Sequence, residues 1–324
     1  MMDILKPNCS APEAKYQYQL FPAVYSIALI LGLPGNLAAL YFFISKITSR
    51  VSSFSVFIIN LALADTVILC TLPFRIHYHI NKNNWVFGDI ACRVTGVLFY
   101  ANIYMSICFM TCICVDRYIA TVHPHTYVRH RNSCCSVAVS AALWGVTGVS
   151  VLAFILMGPL ETKPVNGSLR RSCFENMAQD EWDRRLAPYS LLGLVFGCLL
   201  PSVIILVCYP LALRRISAIG TKTASRAVRV IYTIMAITVL CFLPYHVVHF
   251  LHLLRRLGVI QDCTRANAIY DARRVTMALI ILNTCLDPML YCVTTSHFKW
   301  KSFRFNWLWY RVRRSREVYT IAVS

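Results

Sequence analysis

The apolar and polar positions divide the chain into seven long apolar runs separated by short polar stretches. The runs cover 20–45, 53–79, 89–122, 136–158, 187–212, 226–254 and 268–293. Each is about 20 residues or longer, the length a helix needs to cross roughly 30 Å of hydrocarbon. The pattern predicts an all-α membrane protein with one seven-helix transmembrane domain over 20–293. An extracellular segment, 1–19, precedes it and a cytoplasmic tail, 294–324, follows. No internal repeat is visible, which argues against the repeated halves of many transporters. Residues 1–19 lack the apolar core of a cleavable signal peptide, so the first run is expected to serve as signal anchor.

Composition agrees with a membrane reading. Of 324 residues, 57% are hydrophobic and 14% charged, against roughly a quarter charged in soluble domains. Seven crossings put the termini on opposite sides. The sequons at Asn8 and Asn166 share one side if the N-terminus is outside. Lys and Arg then divide almost evenly, roughly 16 inside and 15 outside, with Arg117 at the inner end of the third run. The outer face keeps an excess of about five cations after its acidic residues are counted. Of the 15 cysteines, Cys9, Cys92, Cys173 and Cys263 face the oxidising exterior, and three pairings of four are possible.

Ionisable residues within membrane helices are costly and usually functional. Asp65 lies near the middle of the second run, where Ser106, Asn283 and Asp287 could converge on it. Oxygens of Asp65, Ser106 and Asn283 would suit a sodium ion with waters. The alternatives are a hydrated polar network or a proton shared between Asp65 and Asp287. Asp116-Arg117-Tyr118 closes the third run, and Asp287-Pro288-Met289-Leu290-Tyr291 the seventh. Pro73, Pro201, Pro244 and Pro288 each remove a backbone hydrogen bond and supply a hinge.

These pieces resemble a rhodopsin-like (class A) G-protein-coupled receptor over essentially the whole chain. The resemblance rests on Gly35-Asn36, Leu61-Ala62-Leu63-Ala64-Asp65, Trp85-Val86-Phe87-Gly88, Cys92 and Asp116-Arg117-Tyr118. It continues through Trp144, Pro201 with Tyr209, Cys241-Phe242-Leu243-Pro244 and Asp287-Pro288 to Tyr291. It implies a Cys92–Cys173 disulfide, which leaves Cys9 with Cys263. It also implies a switch in which Asp116, Arg117, Tyr118, Tyr209, Phe242, Pro244, Asp287, Pro288 and Tyr291 rearrange to admit a heterotrimeric G protein, with arrestin as a further partner. Phe242 stands where the family usually has tryptophan, Asp287 where it has asparagine, and Ala224 where some members have an acid facing Arg117. The segment from Phe298 to Tyr310 mixes cations with aromatics and is expected to form a short amphipathic eighth helix on the membrane surface.

Cationic and amphipathic side chains gather near the outer helix ends. Arg75, Tyr78 and His79 lie on the second run, Phe99, Tyr100 and Tyr104 on the third. His246 and His249 follow on the sixth, and Arg273, Arg274 and Met277 on the seventh. Arginine suits phosphate and carboxylate through paired hydrogen bonds. Local sequences resemble platelet-activating-factor, lysophosphatidic-acid and purinergic receptors: His246-Val247-Val248 the first, Leu72-Pro73-Phe74-Arg75 and Ala101-Asn102-Ile103-Tyr104 the others. A small anionic lipid, foremost a lysophospholipid, is the expected ligand, with a nucleotide second. Histidines including His252 keep proton sensing open. A membrane ion or proton transporter is the reading from another class. A retinal-type pump would need a lysine between 268 and 293, which the chain lacks. No nucleophile–base set or phosphate loop suggests an enzyme. The net charge of +18 does not point to nucleic acid, because half of the cations lie outside.

Overall fold

The computed structural model describes residues 14–45, 52–123, 127, 133–157, 172–173, 187–217 and 222–294, and among these no strand occurs. Seven helical rods account for nearly all of them. α1 joins Gln17–Ile27, Ala28–Gly32 and Leu33–Ser45; α2 is Ser53–Ile80, α3 Asp89–Val122 and α4 Cys134–Leu156. α5 joins Ala187–Leu194, Val195–Leu199 and Leu200–Ser217; α6 joins Lys222–Ile237, Thr238–Phe242 and Leu243–Arg256. α7 consists of Cys263–Ile281 and Asn283–Thr294. The predicted runs are therefore in place, with α6 and α7 starting four to five residues earlier than hydropathy suggested. The segment from Phe298 to Tyr310, Asn8, Cys9 and Asn166 lie outside the described residues, as do the side chains of Tyr209 and Ala224.

Local chemistry sets several helix ends. The Ser52 hydroxyl accepts from the Ser55 amide at 3.2 Å at the start of α2. Asp262 accepts from the amides of Thr264 and Arg265 at the start of α7, satisfying donors that a helix N-terminus leaves free. Gly88, before α3, has φ +83, a backbone region that favours glycine. Its carbonyl accepts from Trp85 Nε1 at 2.6 Å. Trp85 in turn packs with Tyr78 and the Cys92–Cys173 disulfide.

Three prolines share one local consequence. The five-residue π-helical turns at 28–32, 195–199 and 238–242 each end two residues before a proline: Pro34, Pro201 and Pro244. A proline ring lacks an amide donor and collides with the carbonyl four residues earlier, and a widened turn relieves both defects. Pro73, by contrast, sits in an unbroken α2. The four predicted hinges thus differ in kind.

α3 runs through the middle of the bundle and touches α2, α4, α5 and α6. Its Ile107, Phe109, Met110 and Ile113 are fully buried with Leu61 and Leu69 of α2 and Phe242 of α6. Six rods are long and apolar enough to cross a bilayer. α7 carries Arg273, Arg274, Asn283 and Asp287, and it turns Arg274, Asn283 and Asp287 into the bundle, where they are buried. That is where membrane helices keep ionisable groups. Gly35 and Asn36 bring α1 against this polar helix. A Cβ on Gly35 would meet Pro288 at 2.9 Å, and Asn36 Nδ2 donates to the Thr284 carbonyl at 2.9 Å.

Candidate functional site

Toward the disulfide end, α3 to α7 enclose a cavity of about 310 Å³. One end is polar. His249, His252, Arg273, Tyr100 and Ser190 reach it from four helices. The other end, lined by Met105, Cys108, Leu143 and Val146, is apolar. Val146 and Leu192 line the cavity and are also exposed on the outside of the bundle, so its wall reaches the lipid-facing surface between α4 and α5.

Hydrogen-bond geometry fixes the state of the polar end. Arg273 Nη1 lies 2.7 Å from His252 Nε2 and Nη2 lies 3.2 Å from the Tyr100 hydroxyl. A guanidinium can only donate. His252 Nε2 is therefore an acceptor, and the ring is neutral with its proton on Nδ1. Among the described residues no carboxylate pairs with Arg273, and its Nε has no partner. Nδ1 of His252 is likewise buried without a hydrogen bond. Buried polar groups are nearly always paired, so this cluster presents donors and acceptors to whatever fills the cavity.

The other residues expected at a ligand site are placed differently. Arg75 donates to the Thr95 carbonyl at 3.2 Å and lies 4.4 Å over the Phe99 ring. The Tyr78 hydroxyl accepts from the Cys173 amide at 3.3 Å. His79 stacks on Phe21 at 4.4 Å and bonds Asn83 at 2.8 Å. Arg274 donates to the Tyr270 hydroxyl at 2.7 Å, and Met277 packs against the main core. None of these lines the cavity. Tyr104 does, and His246 stands behind it at 6.3 Å between ring centroids. Thr147, Ser150 and Phe154 of α4 and Gly193 of α5 also line the cavity. Nothing in their sequence neighbourhood marks them, since small polar and apolar residues are ordinary in membrane helices.

Below the cavity lies a second polar centre. Asp65 Oδ1 accepts from Asn102 Nδ2 at 3.1 Å and from the Ser106 hydroxyl at 3.4 Å. Asn283 donates to Asp287 Oδ2 at 3.5 Å rather than to Asp65. Asp65 Oδ2 and Asp287 Oδ1 have no donor, and all five side chains are buried. Asp65 and Ser106 thus meet as expected, Asn102 joins them, and Asn283 belongs to the Asp287 side. Asn102 was legible as a polar residue one turn before Ser106, a spacing that places both on one helix face.

At the opposite end of the bundle Arg117 is held on several sides. Its Nε and Nη2 donate to Asp116 Oδ2 at 3.0 and 2.5 Å, Nη2 also reaches the Tyr127 hydroxyl at 3.4 Å, and the guanidinium covers Phe54 at 4.1 Å. Tyr118 packs edge-on against His123. Phe242 is fully buried below His246. The Tyr291 hydroxyl donates to Asn36 Oδ1 at 3.3 Å, tying α7 back to α1. Cys92 and Cys173 are bonded, and Cys263 is also in a disulfide.

A seven-helix membrane bundle with a ligand-sized cavity at one end and Asp116-Arg117-Tyr118 at the other has the architecture of a receptor. Residues 35–291 match the family described as 7 transmembrane receptor (rhodopsin family), and the chain belongs to it. It is a multi-pass G-protein-coupled receptor and not an enzyme. Lysophosphatidic acid receptor 4 of Mus musculus is 35% identical over 308 residues, covering 92% of this chain and 80% of that protein. The uracil nucleotide/cysteinyl leukotriene receptor of Homo sapiens is 33% identical over 290 residues, covering 89% and 76%. G-protein coupled receptor 68 of Homo sapiens is 32% identical over 323 residues, covering 97% and 85%.

Proposed function

We propose that this receptor lies in the plasma membrane with its N-terminus outside and responds to a lysophospholipid bearing a phosphate. The observation that carries this reading is the cavity's division into two unlike ends. At one end the Arg273 charge is met only by the neutral groups of His252 and Tyr100 among the described residues. At the other, apolar walls run toward the lipid-facing surface. A phosphate supplies the missing anion, and charge-assisted pairs with arginine are strong in a dry site. An acyl chain fills the apolar end and gains by leaving water. The likeness to lysophosphatidic acid receptor 4 supports the same ligand class. A nucleotide, with several phosphates and a polar base, fits this wall less well, because among the described residues Arg273 is the one cation lining it.

Binding shifts a population of bundle conformers. In the favoured state Arg117 leaves Asp116 and faces the G protein. The neighbouring carboxyls of Asp65 and Asp287 suit a small cation such as sodium or a proton shared between them. The test is nucleotide exchange on a panel of heterotrimeric G proteins in membranes holding the full chain. Lysophosphatidic acid should stimulate exchange in the presence of the receptor only. A response to ADP or to acid, with none to lysophosphatidic acid or platelet-activating factor, would overturn the ligand assignment.

A further inference from the structure

Along α3 the cavity extends from Val97 to Cys108, about 16 Å of helix rise. Tyr104 stands between the polar and the apolar ends. Its ring lies on the backbone of α5 at two glycines spaced one turn apart. A Cβ on Gly197 would fall on the base of the ring, and one on Gly193 on its hydroxyl end, both well inside van der Waals contact. The phenol therefore lies lengthwise along α5, from Gly197 up to Gly193, a rise of about 6 Å.

Neither glycine serves the backbone, since neither sits in the left-handed region. Each weakens its helix by about 1 kcal/mol relative to alanine. Gly145 and Gly148 of α4 offer a contrast, for a Cβ there would meet nothing. At Gly193 and Gly197 the missing side chains are used.

We propose that Gly193, Gly197 and Tyr104 act as an acyl-chain length selector, an inference that rests on the lysophospholipid reading. The glycine face holds the Tyr104 ring against α5. That position leaves a passage beside α3 and α4 from the polar end to the apolar chamber. A side chain at either glycine removes the seat, and the nearest free space for the ring is the passage itself. A long acyl chain then loses the chamber lined by Cys108 and Leu143. A short chain anchored at Arg273 keeps its contacts.

The test compares lauroyl and oleoyl lysophosphatidic acid in nucleotide exchange with the full-length receptor, with surface abundance read in the same cells. Gly197→Ala should raise the half-maximal concentration of the oleoyl lipid by about tenfold or more. That of the lauroyl lipid should stay within about threefold. Adding Tyr104→Ala to Gly197→Ala should restore the oleoyl response, because no ring is left to displace. Gly193→Ala should behave as Gly197→Ala does and serves in its place if that variant does not reach the surface. Equal losses for both lipids, or no rescue by Tyr104→Ala, overturn the selector and leave the ligand class standing. A wild-type receptor silent to both lipids overturns the ligand class, and the selector with it.

Discussion

Arg117 and Arg273 are both half-buried arginines at opposite ends of the bundle, and they are satisfied in opposite ways. Arg117 meets a carboxylate, Asp116, through two nitrogens and is covered by Phe54 and Tyr127. Arg273 meets a neutral imidazole and a phenol and, among the described residues, no carboxylate. A charge answered by a charge is closed upon itself, and moving it requires breaking a short ion pair in a poorly solvated place. A charge answered only by dipoles keeps most of its attraction for an anion. The first arrangement suits a latch and the second a receptor site. In the proposed reading the same residue type serves signalling at one end and recognition at the other.

Substitutions at the two ends should separate these roles. The largest effect is expected at Arg117. Arg117→Ala should abolish agonist-stimulated exchange while leaving binding of labelled lysophosphatidic acid nearly unchanged; undiminished exchange would sink its place in coupling. Arg273→Ala should do the reverse. Loss of a hydrogen-bonded charge pair with phosphate, about 1.5–3 kcal/mol, weakens agonist potency by roughly 10- to 150-fold. The maximal response should survive at saturating lipid. Arg273→Lys should recover part of the loss, since lysine keeps the charge but not the paired geometry.

Smaller effects sharpen the contrast. Asp116→Asn removes the partner charge from Arg117 and should raise exchange in the absence of ligand a few-fold, measured at matched receptor abundance. An unchanged basal rate would mean that Asp116 does not restrain the switch. Asn36→Ala lies at neither arginine, and its effect is read in stability. It removes donors to the Gly32 and Thr284 carbonyls and the acceptor of Tyr291. The expected cost is about 1–2 kcal/mol of stability, visible as a lower unfolding midpoint in detergent.

Which features were legible in the chain follows from how far apart the interacting residues lie. Helix count and approximate limits come from local hydropathy, and Gly88, Ser52 and Asp262 act within a few residues of themselves. The Asp116–Arg117 pair was readable because the partners are adjacent. Among the arginines near the outer ends the sequence favours Arg75, which lies about a turn and a half inside its run. In the fold Arg75 bonds the Thr95 carbonyl and covers Phe99, and Arg274 is bonded to Tyr270; neither lines the cavity. Arg273 is the one turned toward His252 and the cavity. Small helix rotations decide this, and hydropathy does not record them.

The sequence by itself determined a seven-helix membrane protein, because bilayer thickness imposes run length. Its ordered motifs resemble a receptor, and the cost of ionisable groups in membrane helices singles out Asp65, Arg117 and Asp287. Tertiary structure decided what those groups face. It brought Asn102 to Asp65, set Asn283 beside Asp287, left Arg273 without a counter-charge among the described residues and laid Tyr104 on Gly193 and Gly197. Each of these depends on close approach between helices far apart in sequence. Packing of side chains across the bundle fixes such approaches, and no single segment encodes them.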